Sequence, residues 1–147
     1  MAANIQPQFT MDGVIGAARV TAGNTSSQGG GTIGVDIFVI VIADVDGTLV
    51  EFVRCMPTAT APTTTTATVV RIFASSVVAG VTTPANTFLL AEAVLPASPA
   101  DNAATAVTPI DIPLNFRLPN GWSLLATNHV APAANTVWLS VAIGGNY

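Results

Sequence analysis

Lysine is absent from this chain of 147 residues, and charged residues of either sign make up only 8% of it. Roughly 25% is usual for a soluble domain. The cations are Arg19, Arg54, Arg71 and Arg117, scattered along a chain of net charge −4. That leaves no basic patch of the kind that holds nucleic-acid phosphates. Cys55 stands alone, which excludes an intrachain disulfide and a cysteine-based metal cluster. His129 is the single histidine, and no G-x-S-x-G element accompanies it, so a hydrolase triad has little to build on. Long apolar runs are missing too. The longest, Ile37 to Ala43, falls far short of the ~20 residues of a spanning helix. The opening "MAANIQPQFTMDG" is polar and interrupted by Pro7, unlike a secretory signal. No membrane partner is expected, and a soluble chain made in the cytoplasm is.

What fills the chain instead is Thr, Ala and the aliphatics. Half of it is hydrophobic. A small, neutral surface keeps a free monomer in solution poorly. It suits a protein whose flanks are covered by neighbouring subunits. The length is that of one domain.

Period-2 alternation recurs along the chain, and no helical period is sustained. In "PIDIPLNFRLP", Ile110, Ile112, Leu114, Phe116 and Leu118 alternate with polar residues and proline, as in a half-buried strand. Pro113 cannot donate to a ladder, which predicts an edge strand or a bulge. In "TVWLSVAI", Val137, Leu139, Val141 and Ile143 alternate with Trp138, Ser140 and Ala142. In "NTFLLAEAVLP", Leu89, Ala91, Ala93 and Leu95 share one face and Glu92 takes the other. Strands are also predicted over 14–22, 35–44, 48–56, 68–76 and 122–127. The 35–43 run is apolar on both faces apart from Asp36 and reads as a central strand. Between these elements lie segments rich in Gly, Pro, Asn and Thr. About eight strands separated by short turns predict an all-β, single-domain sandwich of jelly-roll type over 13–147. Residues 1–12 are expected to be an extended N-terminal arm.

"VIVIADVDGTLVEF" resembles the first motif of the haloacid dehalogenase phosphatases. In that family the Asp44 position is a nucleophile and the Asp46 position a general acid/base. The family also needs a parallel strand in an α/β fold, a later phosphate-holding cation and a further acidic pair for magnesium. Here the later acids Glu51, Glu92, Asp101 and Asp111 are isolated, and no helical pattern comes after the motif. Asp-Gly is a strong turn signal. The segment therefore predicts a hairpin, with Val39–Ala43 and Thr48–Phe52 paired antiparallel about Asp44–Gly47. "GGGTIG" spells a dinucleotide fingerprint at Gly29, Gly31 and Gly34 but precedes a strand, so a flexible glycine loop is expected. Asn24-Thr25-Ser26 is a glycosylation sequon by spelling alone. Cys55 reads as a small buried or half-buried side chain and His129 as an exposed loop residue. Trp122 and Trp138 belong either to the core or to an interface. No catalytic, cofactor-binding or metal-binding residue is expected, and no enzyme activity.

"RIFASSV…TPANTFLLAEAVLPASPADNAATAVTPIDIPLNFRLPNGWSLLATN…VWLSVAIGGNY" resembles small structural proteins of tailed bacteriophages. These include capsid cement or decoration proteins, commonly compact β-sandwiches or jelly rolls. The resemblance covers roughly residues 70–147. It implies a virion protein on the capsid surface that binds the major capsid protein without a cofactor and self-associates as a dimer or trimer. Ile5, Phe9, Trp138 and Tyr147 are the expected subunit-interface residues. The alternative is a tail or fibre component, or a carbohydrate-binding sandwich on the virion.

Overall fold

A computed structural model describes residues 12–100 and 107–146. Ile5, Phe9 and Tyr147 lie outside them. The described chain is all β, with strands β1 (Asp12–Val20), β2 (Gly31–Thr32), β3 (Phe38–Ile42), β4 (Thr48–Ala59), β5 (Thr63–Thr64), β6 (Thr68–Ser75), β7 (Val81–Thr82), β8 (Thr87–Leu95), β9 (Pro99–Ala100), β10 (Ile110–Leu118), β11 (Ser123–Asn128) and β12 (Thr136–Asn146). Each predicted strand has a counterpart among the long ones. The remaining four are two-residue pairings, β2 with β7 and β5 with β9, that tie loops together.

The long strands form two antiparallel sheets, in the orders β1-β12-β4-β10 and β3-β11-β6-β8. We call them sheets A and B. Their inner faces share one core, to which A gives Val20, Val50, Val53 and Trp138 and B gives Ile40, Val70, Ile72 and Leu124. Along one side the sheets close up, because Gly16 of β1 lies against the backbone carbonyl of Ile40 in β3. Only a residue without a Cβ fits that approach.

Three expectations are corrected here. β3 and β4 are not a hairpin, since β3 pairs with β11 and β4 with β10 and β12. The turn at Asp44–Gly47 exists, with the Gly47 amide donating to the Asp44 carbonyl at 2.9 Å and Gly47 at φ +84°. It carries the chain from one sheet to the other. β3 is also an edge strand rather than a central one. Both its faces are apolar because Ile40 enters the main core while Val39 joins a second cluster outside sheet B.

That second cluster explains the third correction. Ile37, Phe73 and Leu125 are fully buried on the outer side of sheet B, with Ile33 and Val39 against them. The glycine-rich segment that covers them is a bonded structure. The Asn24 amide donates to the Asn128 carbonyl at 2.7 Å. The Asn24 side chain donates to the Gly30 carbonyl at 3.0 Å and to Asp36 at 3.2 Å, and accepts from the Ser26 amide at 2.8 Å. Asp36 in turn accepts from the Thr32 amide at 2.6 Å. Asn24 is thereby 6% exposed and committed to internal partners, so its sequon is not an open acceptor. Beside it, the Arg71 guanidinium donates to Glu92 at 2.5 Å and to the Asn24 carbonyl at 3.5 Å. Its Nη1 also stands 3.3 Å from Nδ1 of His129, an exposed loop residue as expected. With both faces covered, β6 and β11 are buried at almost every position.

Pro113 meets its expectation twice over: β10 is an edge strand, and a bulge lies between Pro113 and Phe116. Cys55 is fully buried, with its sulfur 3.7 Å from Ser140 Oγ, and burial pushes its thiol up to about 11. It is held as the neutral thiol at physiological pH, which removes its nucleophilicity. Iodoacetamide should leave it unlabelled in the native protein and label it only after denaturation. Labelling at comparable rates in both states would contradict this placement.

Candidate interaction surface

The phosphatase-like residues assemble no catalytic constellation among the described residues. Asp44 Oδ1 accepts from the Val45 amide at 2.7 Å and its Oδ2 from Asn146 Nδ2 at 3.4 Å. Thr48 Oγ1 accepts from the Asp44 amide at 3.2 Å and donates to Asn146 at 2.6 Å. The Asp46 carbonyl accepts from the Arg117 guanidinium at 2.6 Å. These bonds close a turn and attach it to the ends of β10 and β12. Among the described residues no group of His, Cys, Asp and Glu could hold a metal ion.

The distinctive feature is the outer face of sheet A. β12 turns Thr136, Trp138, Ser140 and Ala142 inward, and leaves Val137, Leu139, Val141 and Ile143 on the outside. The bulkier indole takes the core position, which sends the aliphatic row outward. Register then lines up the outward residues of neighbouring strands. Ile15 of β1 stands beside Ile143, Ile143 beside Phe52 of β4, and Phe52 beside Pro113 of β10. The next row is Ala17, Val141, Arg54 and Asp111, and the one after it Arg19, Leu139 and Met56. The result is an apolar stripe running across the sheet, half-buried at Phe52, Met56, Leu139, Val141 and Ile143 and 78% exposed at Ile15 on its border.

Within the stripe Arg54 and Asp111 neutralise each other, and Arg19 is exposed at its border on edge strand β1. Arg54 meets Asp111 in a two-pronged pair, Nε to Oδ1 at 2.7 Å and Nη2 to Oδ2 at 2.8 Å. Its guanidinium carbon also stands 5.4 Å from the Phe52 ring centroid. The hydrogen bond from Arg54 and its charge hold the Asp111 carboxyl below its ordinary range, and Asp111 holds Arg54 above its own. A fixed, paired geometry lets apolar neighbours be covered without stranding a lone charge.

Edge strand β8 also exposes apolar side chains, Leu89 and Val94 (72% exposed) on the outer side of sheet B with Glu92 between them, and Phe88 on the other side, opposite Ala74. The alternation assigned to β8 holds for Ala91, Ala93 and Leu95. A bulge opposite Ile72 and Phe73 displaces Leu89 to the surface. Phe88 stacks on half-buried Trp122, with centroids 6.0 Å apart and planes at 20°.

Of the expected interface residues, Trp138 belongs to the core instead. It is 1% exposed and among the largest fully buried side chains, so no partner subunit reaches it. The others fall outside the described residues. The outer residues of β12 escaped sequence reasoning, although a signal was present. A strand apolar on both faces is one whose second face also gets covered.

No helix of the described chain is long and apolar enough to cross a membrane. No family model matches this chain, and no curated protein or solved structure matches it either.

Proposed function

We propose that the protein is a structural component of a phage virion, of the capsid cement or decoration type, acting by protein–protein contact alone. The observation that carries this is the apolar outer face of sheet A on a chain without lysine. Large contiguous apolar patches on a folded domain mark surfaces that another protein covers. The neutral surface limits the desolvation cost of such covering. A cement protein needs two contacts, one to the shell and one to its neighbours on the lattice, which the outer face of sheet A and the exposed outer residues Leu89 and Val94 of β8 would supply.

The strand order supports the same proposal. Numbering only the long strands along the chain, sheet A reads 1-8-3-6 and sheet B reads 2-7-4-5. Such an order suits a jelly roll, the double Greek key found in capsid proteins.

We assign the β8 area to the shell. Replacing both Leu89 and Val94 by Glu should weaken binding to isolated shells lacking the protein by at least about tenfold. The fold should persist, because both side chains are exposed. Cosedimentation with such shells measures it, and unchanged binding would count against the assignment. The tail or glycan-binding alternative retains one supporting feature, the Phe88–Trp122 stack. Saccharide binding that Trp122→Ala abolishes would favour it.

A further inference from the structure

Residues 1–11, "MAANIQPQFTM", carry no charged side chain. Their odd positions are Met1, Ala3, Ile5, Pro7, Phe9 and Met11, all apolar. Their even positions are Ala2, Asn4, Gln6, Gln8 and Thr10, small or polar. In an extended chain, alternate residues point to opposite sides. This segment thus has the pattern of a strand with one apolar side, of the same neutral chemistry as the outer stripe of sheet A. We infer that the stripe formed by Ile15, Ile143, Phe52, Val141, Leu139 and Met56 is covered by residues 1–11 of a second copy of this chain. This rests on the proposed function above and assigns the face its neighbour on the lattice.

Three observations select that occupant. The first is where the segment joins the fold. β1 is paired through Asp12, opposite Asn146, and Gly13, opposite Gly145. The described chain therefore begins in strand geometry at the very end of sheet A. Turning back onto its own face would need a reversal at about residues 8–11. That would place Phe9 and Met11 in the turn and destroy the alternation that matches the face.

The second is reach. Fully extended, the segment spans about 36–40 Å. Four strands at ~4.8 Å spacing span only about 14 Å from first to last. The segment can leave its own subunit and still cross a neighbour's sheet.

The third is charge. Arg54 and Asp111 neutralise each other within the face, and Arg19 lies exposed to solvent at its border on edge strand β1. An uncharged segment buries the stripe without leaving a new charge unpaired, whereas a charged partner would lose its hydration there with nothing to meet it.

The test uses the full chain and two single variants, Phe9→Asp in the arm and Val141→Asp on the face. Analytical ultracentrifugation without capsid shells reads self-association, and circular dichroism confirms each fold. The wild-type chain should associate. Each variant alone should associate at least about tenfold more weakly. Mixing the two should restore a hetero-complex, because one supplies an intact arm and the other an intact face. A monomeric wild type, an arm variant that associates normally, or a mixture that fails to complement would each overturn the inference. If Val141→Asp does not fold, Leu139→Glu replaces it on the same face. Shell binding in a protein that does not self-associate would sink this inference alone. Self-association without shell binding would sink the proposed function and leave the inference standing.

Discussion

Gly144→Ala should destabilise the protein by at least about 3 kcal/mol, which for a chain of this size lowers the melting temperature by roughly 10 °C. Gly144 sits where the β12–β4 register shifts, opposite Val50. A Cβ built there runs into the Leu49 carbonyl oxygen and lies 3.1 Å from Val50 Cα. The obstruction is backbone, so no rotamer change relieves it, and the two central strands of sheet A must separate locally. Gly13, on β1 of the same sheet, has open space where its Cβ would go. Gly13→Ala should therefore stay within about 1 kcal/mol of wild type. Urea unfolding of both variants separates the specific clash from a general strand effect of losing glycine. Equal stability of the two would mean that the strands do not approach as described.

Trp138→Ala should cost about 3–5 kcal/mol, the usual range for emptying a large aromatic site. Trp138 is the bulkiest of the fully buried side chains and packs with core residues from both sheets. Trp138→Phe should cost far less than the alanine variant, for a second reason besides volume. The buried indole Nε1 has no hydrogen-bond partner among the described residues. Removing a donor that bonds nothing forfeits no bond and relieves a desolvation penalty. Denaturant melts of the pair check this. A phenylalanine variant as unstable as the alanine one would show that the indole nitrogen is bonded after all.

Much of this architecture was legible in the residues, and the failures have a common cause. Strand positions are dictated by alternation and turn chemistry, which are local. Pro113 disclosed an edge strand through its missing amide, a property of the residue itself. The Asp44–Gly47 turn was equally legible, since Gly47 takes the positive φ the turn requires. The destination of the strand beyond that turn was not. Turn chemistry reverses a chain but does not say whether the next strand joins its predecessor or crosses to the facing sheet. That choice is made by β10, β11 and β12, which lie much later in the sequence.

The same limit hid the candidate interaction surface. "TVWLSVAI" is apolar on both faces, so alternation alone does not say which side enters the core. The inward position of Trp138 settles it, and the aliphatic row becomes an outer face. The glycine segment misled in the opposite direction. Its glycines suggest freedom, whereas the side chains of Asn24 and Asp36 bind it down through bonds between residues up to twelve positions apart.

Locating the chain in an imaged phage particle tests the central claim most directly. The cement role predicts many copies on the outer surface of the shell, with β8 toward the capsid lattice. Density confined to the tail, or one copy or none per particle, would contradict it.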